Sequence, residues 1–328
     1  MTSNSSNATS TTGNAPRFGS GQHVRRLEDD LLLKGQGQYT DDFVLPRQTH
    51  LVVLRSPYPH AHIKSIDCAA ARAMPGVHLI VTGAEMVAAG VKPMPGAAGF
   101  KRADGSDVTS AARRALAHER VRFVGEPVAA IVADTVQQAS DAADAIVADY
   151  EALPMMVNPH AALAADAPRL CDHIEDNIAA EMRHGSAAKT AAAFARAAHI
   201  VKLRINNQRL HALAIEPRSV LSDFDSATGR LTVHMSSQMP TGVRETLGHC
   251  LGMSDKDVRV QVGDVGGGFG MKTGAYPEDV TAAYCARKLA RPVKWIAERG
   301  HRARNSEPSP QPRSSTRAPR GTQCTIAA

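Results

Sequence analysis

The residues of this chain that could do chemistry gather in one short stretch, VGDVGGGFGMKTGAYPED, residues 262–279. Gly266, Gly267 and Gly268 stand together, Phe269 follows, and Gly270 closes the run. Glycine carries no Cβ, so such a loop lets backbone N–H groups approach a ligand closely. The loop sits between the alternating Val258, Val260 and Val262 and a helix start at Pro277, a place where N–H groups can meet an anion or a polar cofactor. The same glycines also suit a tight turn with nothing bound. Two phosphate loops can be set aside. A Walker loop needs glycine directly before Lys-Ser/Thr, and here Met271 precedes Lys272-Thr273. The dinucleotide pattern G-x-G-x-x-G, tried over Gly263 to Gly268 with Asp264 second, also fails.

Other polar candidates are weaker alone. Gln238 in SSQMP reads as a strand-end glutamine, and Glu216-Pro217-Arg218 as an ion-pair corner. Glu278 reads as a helix-start acid favoured by the dipole. His60, His62 and His211 are lone histidines of the kind that pack or face solvent. Cys68, Cys171, Cys250, Cys285 and Cys324 are scattered with no CxxC, which excludes a zinc knuckle or a cysteine-held cluster and suits a reducing cytoplasm.

Elements must position these residues. Leu51 to Leu54, His62 to Asp67, Val77 to Val81 and Val128 to Val132 read as strands, and CAAARAM as a short helix closed by Pro75-Gly76. Val136, Ala139, Ala143 and Ile146 make a helical stripe, with Asp134 and Gln137 as its capping box. Residues 90–116 read as a long loop. Strands follow near 200–205, 219–224 and 230–236, then a helix over 241–251, a strand at 258–262, a helix from Pro277 to Ala290 and a strand from Pro292 to Ala297. The organisation expected is a disordered leader over 1–22, an α/β domain over 23–155, a linker and helix over 156–199, a second α+β unit over 200–299, and a disordered basic tail over 300–328.

Composition agrees with a globular protein: 328 residues, 43 % hydrophobic, 21 % charged. No stretch approaches the ~18 apolar residues of a membrane span. The N-terminus has no apolar core of a secretory signal. The net charge of +6 belongs mostly to residues 299–328, where six arginines accompany the single acid Glu307, so it is no argument for nucleic-acid binding by the folded part.

The ordered motifs GQGQYTDDFVLP, RSPYPHAHIKSID, MPGVHLIVTG, VRFVGEPVAAIVADT and ADYEALP resemble the "hammerhead" α/β domain of the xanthine dehydrogenase/aldehyde oxidase/carbon monoxide dehydrogenase family. RLHALAIEPRSVL, LTVHMSSQMP, VRVQVGDVGGGFGMKTGAYPED and RPVKWIAER resemble part of the same large subunit's molybdopterin-binding α+β domain. The resemblance runs from about residue 20 to 299, in order. It implies a molybdopterin cofactor with molybdenum, in bacteria usually the cytosine dinucleotide form, and partner subunits carrying iron–sulfur clusters and FAD. It implies oxidative hydroxylation of an aldehyde, carbon monoxide or an N-heterocycle. Gln238 matches the family glutamine that hydrogen-bonds an oxygen ligand of molybdenum, a role an amide fills by donating without adding charge. Gly267, Gly268, Phe269 and Gly270 match the loop whose backbone meets the cofactor, and the metal is held by the pterin, with no histidine ligand. Xanthine-type enzymes carry a glutamate where this chain has Thr273, which places it nearer the carbon monoxide or aldehyde branch.

Family large subunits run to roughly 750–800 residues, several domains by length. The segment carrying the family's catalytic glutamate lies beyond this chain, so no catalytic residue is assignable. Family character ends at Arg299 and a Pro/Ser/Arg-rich tail begins, the composition expected when a GC-rich reading frame slips. The expectation is a large-subunit fragment, inactive alone, with residues 160–300 poorly soluble and 23–155 more self-sufficient. The alternative is a non-catalytic binding or assembly module that docks on an iron–sulfur partner. A nucleic-acid binder using the tail lacks aromatic–basic interleaving.

Overall fold

The computed structural model describes residues 26–96, 101–102, 104–107, 112–172, 174, 176–180, 185–205, 212–298 and 322–327. The chain divides at Gly37, and the preceding unit holds one described helix, α1 (Asp29–Leu33), with Asp29 and Asp30 in its first turn. The second unit begins with β1 (Thr49–Arg55), β2 (Ala61–Asp67), α2 (Ala69–Arg72), β3 (Val77–Thr82), α3 (Gly83–Ala88), β4 (Arg120–Val121), β5 (Pro127–Ala133), α4 (Val136–Asp144) and β6 (Val147–Ala152). It continues with α5 (Ala187–Arg196), β7 (Ile200–Ile205), β8 (Ser219–Asp225), β9 (Arg230–Met235), α6 (Pro240–Leu251), β10 (Val258–Gln261), α7 (Pro277–Leu289), β11 (Val293–Ile296) and β12 (Thr322–Ala327).

The run PVAAIVA of β5 is buried at all seven positions. Alternate residues of a strand face opposite ways, so β5 feeds two large cores. Ala130 and Val132 join one with Val243, Leu247, Val280, Ala283 and Trp295; Ala129, Ile131 and Ala133 join the other with Ala139, Ala142 and Ile146 of the α4 side. Val128 of β5 joins a third, smaller one with Ala61, Ala117 and Val121. The sheet that carries this strand has seven members in the order β10-β9-β8-β11-β1-β5-β3. It runs across the boundary drawn from sequence near residue 155: β1 pairs in parallel with β11, Thr49 opposite Val293. A three-stranded sheet, β4-β2-β6, and a two-stranded one, β12-β7, complete the architecture.

Three details differ from the sequence reading. The cap of α4 is one residue later: Thr135 accepts from the Gln138 N–H and the Gln138 side chain takes the Thr135 N–H, because β5 extends through Ala133 and Asp134 is engaged by His78 and Arg291 instead. Helix α3, absent from the sequence reading, is started by a second such box, Thr82 with Glu85. The tail read as disordered over 300–328 contains β12, whose residues pair antiparallel with β7, Thr322 opposite Ile205. The backbone ladder there is satisfied by an apolar strand whose Ile200, Val201 and Leu203 are exposed.

Candidate functional site

Strands β9 and β10 are parallel neighbours joined through α6. The two features singled out in the sequence follow their carboxyl ends: Gln238 comes three residues after β9, the glycine run five residues after β10. Crevices outside the carboxyl ends of parallel strands are where α/β sheets take ligands. The pairing of the two strands thus brings together residues separated by about thirty positions.

Their contact is close. Gln238 Oε1 accepts from the N–H of Gly270 at 3.0 Å and of Lys272 at 3.2 Å, while the Gln238 N–H donates to the Lys272 carbonyl at 2.8 Å. Two backbone donors on the carbonyl oxygen fix the amide's orientation, so Nε2 is the outward atom, with no partner among the described residues. A Cβ on Gly268 would lie 2.5 Å from that same Oε1, and one on Gly266 would collide with Glu216 Cβ. Gly266 is therefore required by the chain's own packing, and a side chain at Gly268 would push the Gln238 carboxamide aside. Gly267 (φ 101°), Phe269 (φ 50°) and Gly270 (φ 84°) lie in the left-handed region, which is unfavourable for Phe269, and Phe269 is 75 % exposed. The N–H groups of Gly267, Gly268 and Phe269 make no hydrogen bond among the described residues, whereas those of Gly266, Gly270, Met271 and Lys272 all do.

Beneath the loop lies a sealed charge cluster. Lys272, 2 % exposed, donates from Nζ to Glu216 Oε2 at 2.8 Å and to Ser236 Oγ at 2.7 Å. Glu216 Oε2 also accepts from Ser236 Oγ at 2.7 Å and from the Gly266 N–H at 2.8 Å, and its Oε1 is buried without a partner. The ammonium faces inward, so it cannot serve a phosphate as a Walker lysine does. Thr273 is exposed and donates to the Gly270 carbonyl at 2.9 Å.

Arg218, two residues after Glu216, belongs to another cluster. It reaches Glu278 at 3.2 Å and stacks 3.8 Å over the Tyr276 ring, while Arg55 of β1 bonds the other Glu278 oxygen at 2.6 Å. Glu278 stands in the first turn of α7, where the sequence reading put it, and at 3 % exposure its carboxylate is also paired with both arginines. Burial raises its carboxyl, but the Arg218 and Arg55 charges together outweigh that and hold it below the usual range. Its neighbour Asp279 caps α7 by accepting the Tyr276 N–H at 2.8 Å, and burial pushes it up to about 7 against the pull of that bond and of Arg218. The first clue to both was available: PED directly after an aromatic at a helix start.

Other candidates fall elsewhere. His60 is buried, its Nδ1 2.7 Å from the Pro154 carbonyl; His62 lies on β2; His211 lies outside the described residues. Among the described residues no group of His, Cys, Asp and Glu could hold a metal ion. Cys68, Cys171, Cys250 and Cys285 are free and buried, and burial pushes Cys250 up to about 11 and Cys285 up to about 12, which keeps both thiols protonated. No described helix is long and apolar enough to cross a membrane.

The site thus offers donors without charge: three free N–H groups and one carboxamide. They suit an acceptor-rich, polar ligand. Among the described residues, the groups offered to a ligand are hydrogen-bond donors suited to holding and orienting it. Apolar side chains rim it, with Ile215 84 % exposed and Leu213, Met239 and Phe269 also exposed.

Comparison with known proteins bears on what that ligand is. A model of the aldehyde oxidase and xanthine dehydrogenase a/b hammerhead domain matches residues 34–154, and a model of the molybdopterin cofactor-binding domain matches residues 171–315. The carbon monoxide dehydrogenase large chain of Hydrogenophaga pseudoflava is 34 % identical over 284 residues, covering 83 % of this chain and 34 % of that one. The nicotine 6-hydroxylase large subunit of Paenarthrobacter nicotinovorans is 34 % identical over 281 residues, 85 % of this chain and 33 % of its own. Quinoline 2-oxidoreductase from Pseudomonas putida 86 superposes with a TM-score of 0.77 at 36 % identity, over 85 % of this chain and 34 % of that one. The chain spans about a third of the length of the curated relatives it matches.

Proposed function

Because the chain belongs to the xanthine dehydrogenase/aldehyde oxidase/carbon monoxide dehydrogenase family of molybdopterin-binding large subunits, we propose that it supplies one wall of a molybdopterin site, in the cytosine dinucleotide form. The observation that carries this reading is a set of donors without a partner among the described residues, the Gly267, Gly268 and Phe269 N–H groups and Gln238 Nε2, on a loop and a side chain that the Gln238 Oε1 bonds hold together. The residues fit the group: a pterin with its molybdenum oxygen ligands is rich in acceptors, and the chain presents only donors to it. When bound, the cofactor supplies the redox centre for oxidative hydroxylation of an aldehyde, carbon monoxide or an N-heterocycle, with the electrons passed to iron–sulfur and FAD subunits.

Within that scheme this chain's residues bind and orient. Gln238 is held by two backbone bonds and donates from Nε2. The loop N–H groups donate at fixed positions, so no reorganisation is needed on binding. We assign the chain no turnover by itself. A second reading, a non-catalytic module docking on an iron–sulfur partner, is favoured by Phe123 and Val124, both exposed just before β5.

Purifying the chain from a host that makes molybdopterin, then measuring molybdenum and pterin content, separates the two. Pterin at a substantial fraction of one per chain, without aldehyde oxidation to an acceptor dye, is the expected result. Folded chain free of pterin would move the docking reading ahead.

A further inference from the structure

The glycine loop, the Gln238 turn and the Glu216 corner come from three separate segments, and one side chain touches the business of all three. Lys272 bonds Gln238 twice through its backbone, donating from N–H and accepting at its carbonyl. Its Nζ reaches the part-buried Glu216 Oε2 and the buried Ser236 Oγ. Glu216 in turn grips Gly266 twice, its Oε2 taking the Gly266 N–H and its own N–H donating to the Gly266 carbonyl at 3.1 Å. Ser236 stands two residues before Gln238.

We propose that Lys272 is the positioning residue of the site, its inward ammonium locking Glu216, Ser236 and the loop so that the Gln238 carboxamide and the free loop N–H groups face one ligand. The role rests on the molybdopterin reading for its purpose, though the lock itself is a property of the ligand-free chain. Chemistry favours a lysine here. Glu216 Oε2 already accepts two neutral donors, and a third donor that also balances its charge makes the sealed carboxylate tolerable. A loop with three positive-φ residues has several competing conformations, and a tether at Lys272, two residues past Gly270, selects among them.

The test is amide hydrogen exchange on the full chain without ligand, joined to an anaerobic fluorescence titration with molybdopterin. Lys272→Met is expected to speed exchange of the Gly266 and Gly270 N–H groups at least tenfold, while β5 amides keep the wild-type rate, and to weaken molybdopterin binding at least tenfold. Unchanged loop exchange in a folded variant would overturn the proposal. Should Lys272→Met fail to fold because Glu216 is left charged and alone, the double variant Glu216→Gln/Lys272→Met removes both charges. It is expected to recover wild-type exchange in β5 and still show fast exchange at Gly270; wild-type exchange at Gly270 would again overturn the proposal. If the wild-type chain binds no molybdopterin, the function proposed above fails, and the exchange result judges the lock independently.

Discussion

Two buried ion-pair clusters meet the same short corner, Glu216-Pro217-Arg218, and they act over different distances. Glu216 turns to Lys272, 56 residues away, beneath the glycine loop. Arg218 turns to Glu278, and Glu278 also takes Arg55 from β1, 223 residues away. The first cluster shapes a loop inside one segment. The second fastens α7, and with it the sheet half built by β8 to β11, to the half built by β1, β3 and β5. Ligand geometry and fold integrity are thus carried by separate charges, although two of them are neighbours in the chain.

The largest expected effect is on the long-range cluster. Glu278→Gln leaves two arginines facing a neutral amide in a buried site, and breaking such a pair costs about 3–5 kcal/mol. A chemical denaturation curve should show that loss with no selective loosening of the loop. Next comes Gly268→Ala. The new methyl must displace the Gln238 carboxamide, so the Gly270 and Lys272 N–H groups lose their acceptor. We expect a destabilisation of about 1–3 kcal/mol, the range for a strained or overpacked position, with molybdopterin affinity reduced at least tenfold.

Asp279→Asn should depend on pH. The folded-state carboxyl titrates at about 7, well above the unfolded value, so the wild-type chain loses stability as pH rises from about 4 to 7. Asparagine keeps an acceptor for the Tyr276 N–H and has no such loss. The variant should therefore match wild type below that window, gain on it through the window, and hold a constant advantage above it in thermal melts. Glu278 works with the opposite sign: its lowered carboxyl contributes stability above its unfolded value that disappears as pH falls. The smallest effect on stability belongs to Gln238→Leu. The side chain is exposed and the Gly270 N–H can turn to water, while the Lys272 N–H, on a buried residue, loses its acceptor, so the change should cost about 1 kcal/mol.

Much of this was legible in the sequence because it is local. The alternation of Val258 and Val260, the all-apolar β5 and the Pro277 start of α7 each follow from short-range pattern, and the family motifs pointed to Gln238 and the loop. What was not legible depends on pairing between distant segments. Nothing in AIEPRSV says that Glu216 and Arg218 choose different partners, because that choice is made by the β8–β9–β10 arrangement and by Arg55 arriving through β1. Lys272 was seen only as a failed Walker lysine; its inward turn follows from Ser236 and Glu216 meeting below the loop. The one-residue error at the cap of α4 has a similar origin, since Asp134 is drawn off by His78 and Arg291. A signal at α3 was present in TGAE and went unread.

The central claim is that Gln238 and the free loop N–H groups hold a molybdopterin. The most direct test is an anaerobic equilibrium titration of molybdopterin onto the wild-type chain and Gln238→Leu, side by side. Saturable binding by the wild type, weakened at least tenfold in the folded variant, is the result predicted. No saturable binding to a folded wild-type chain, or equal affinity in both, would contradict it.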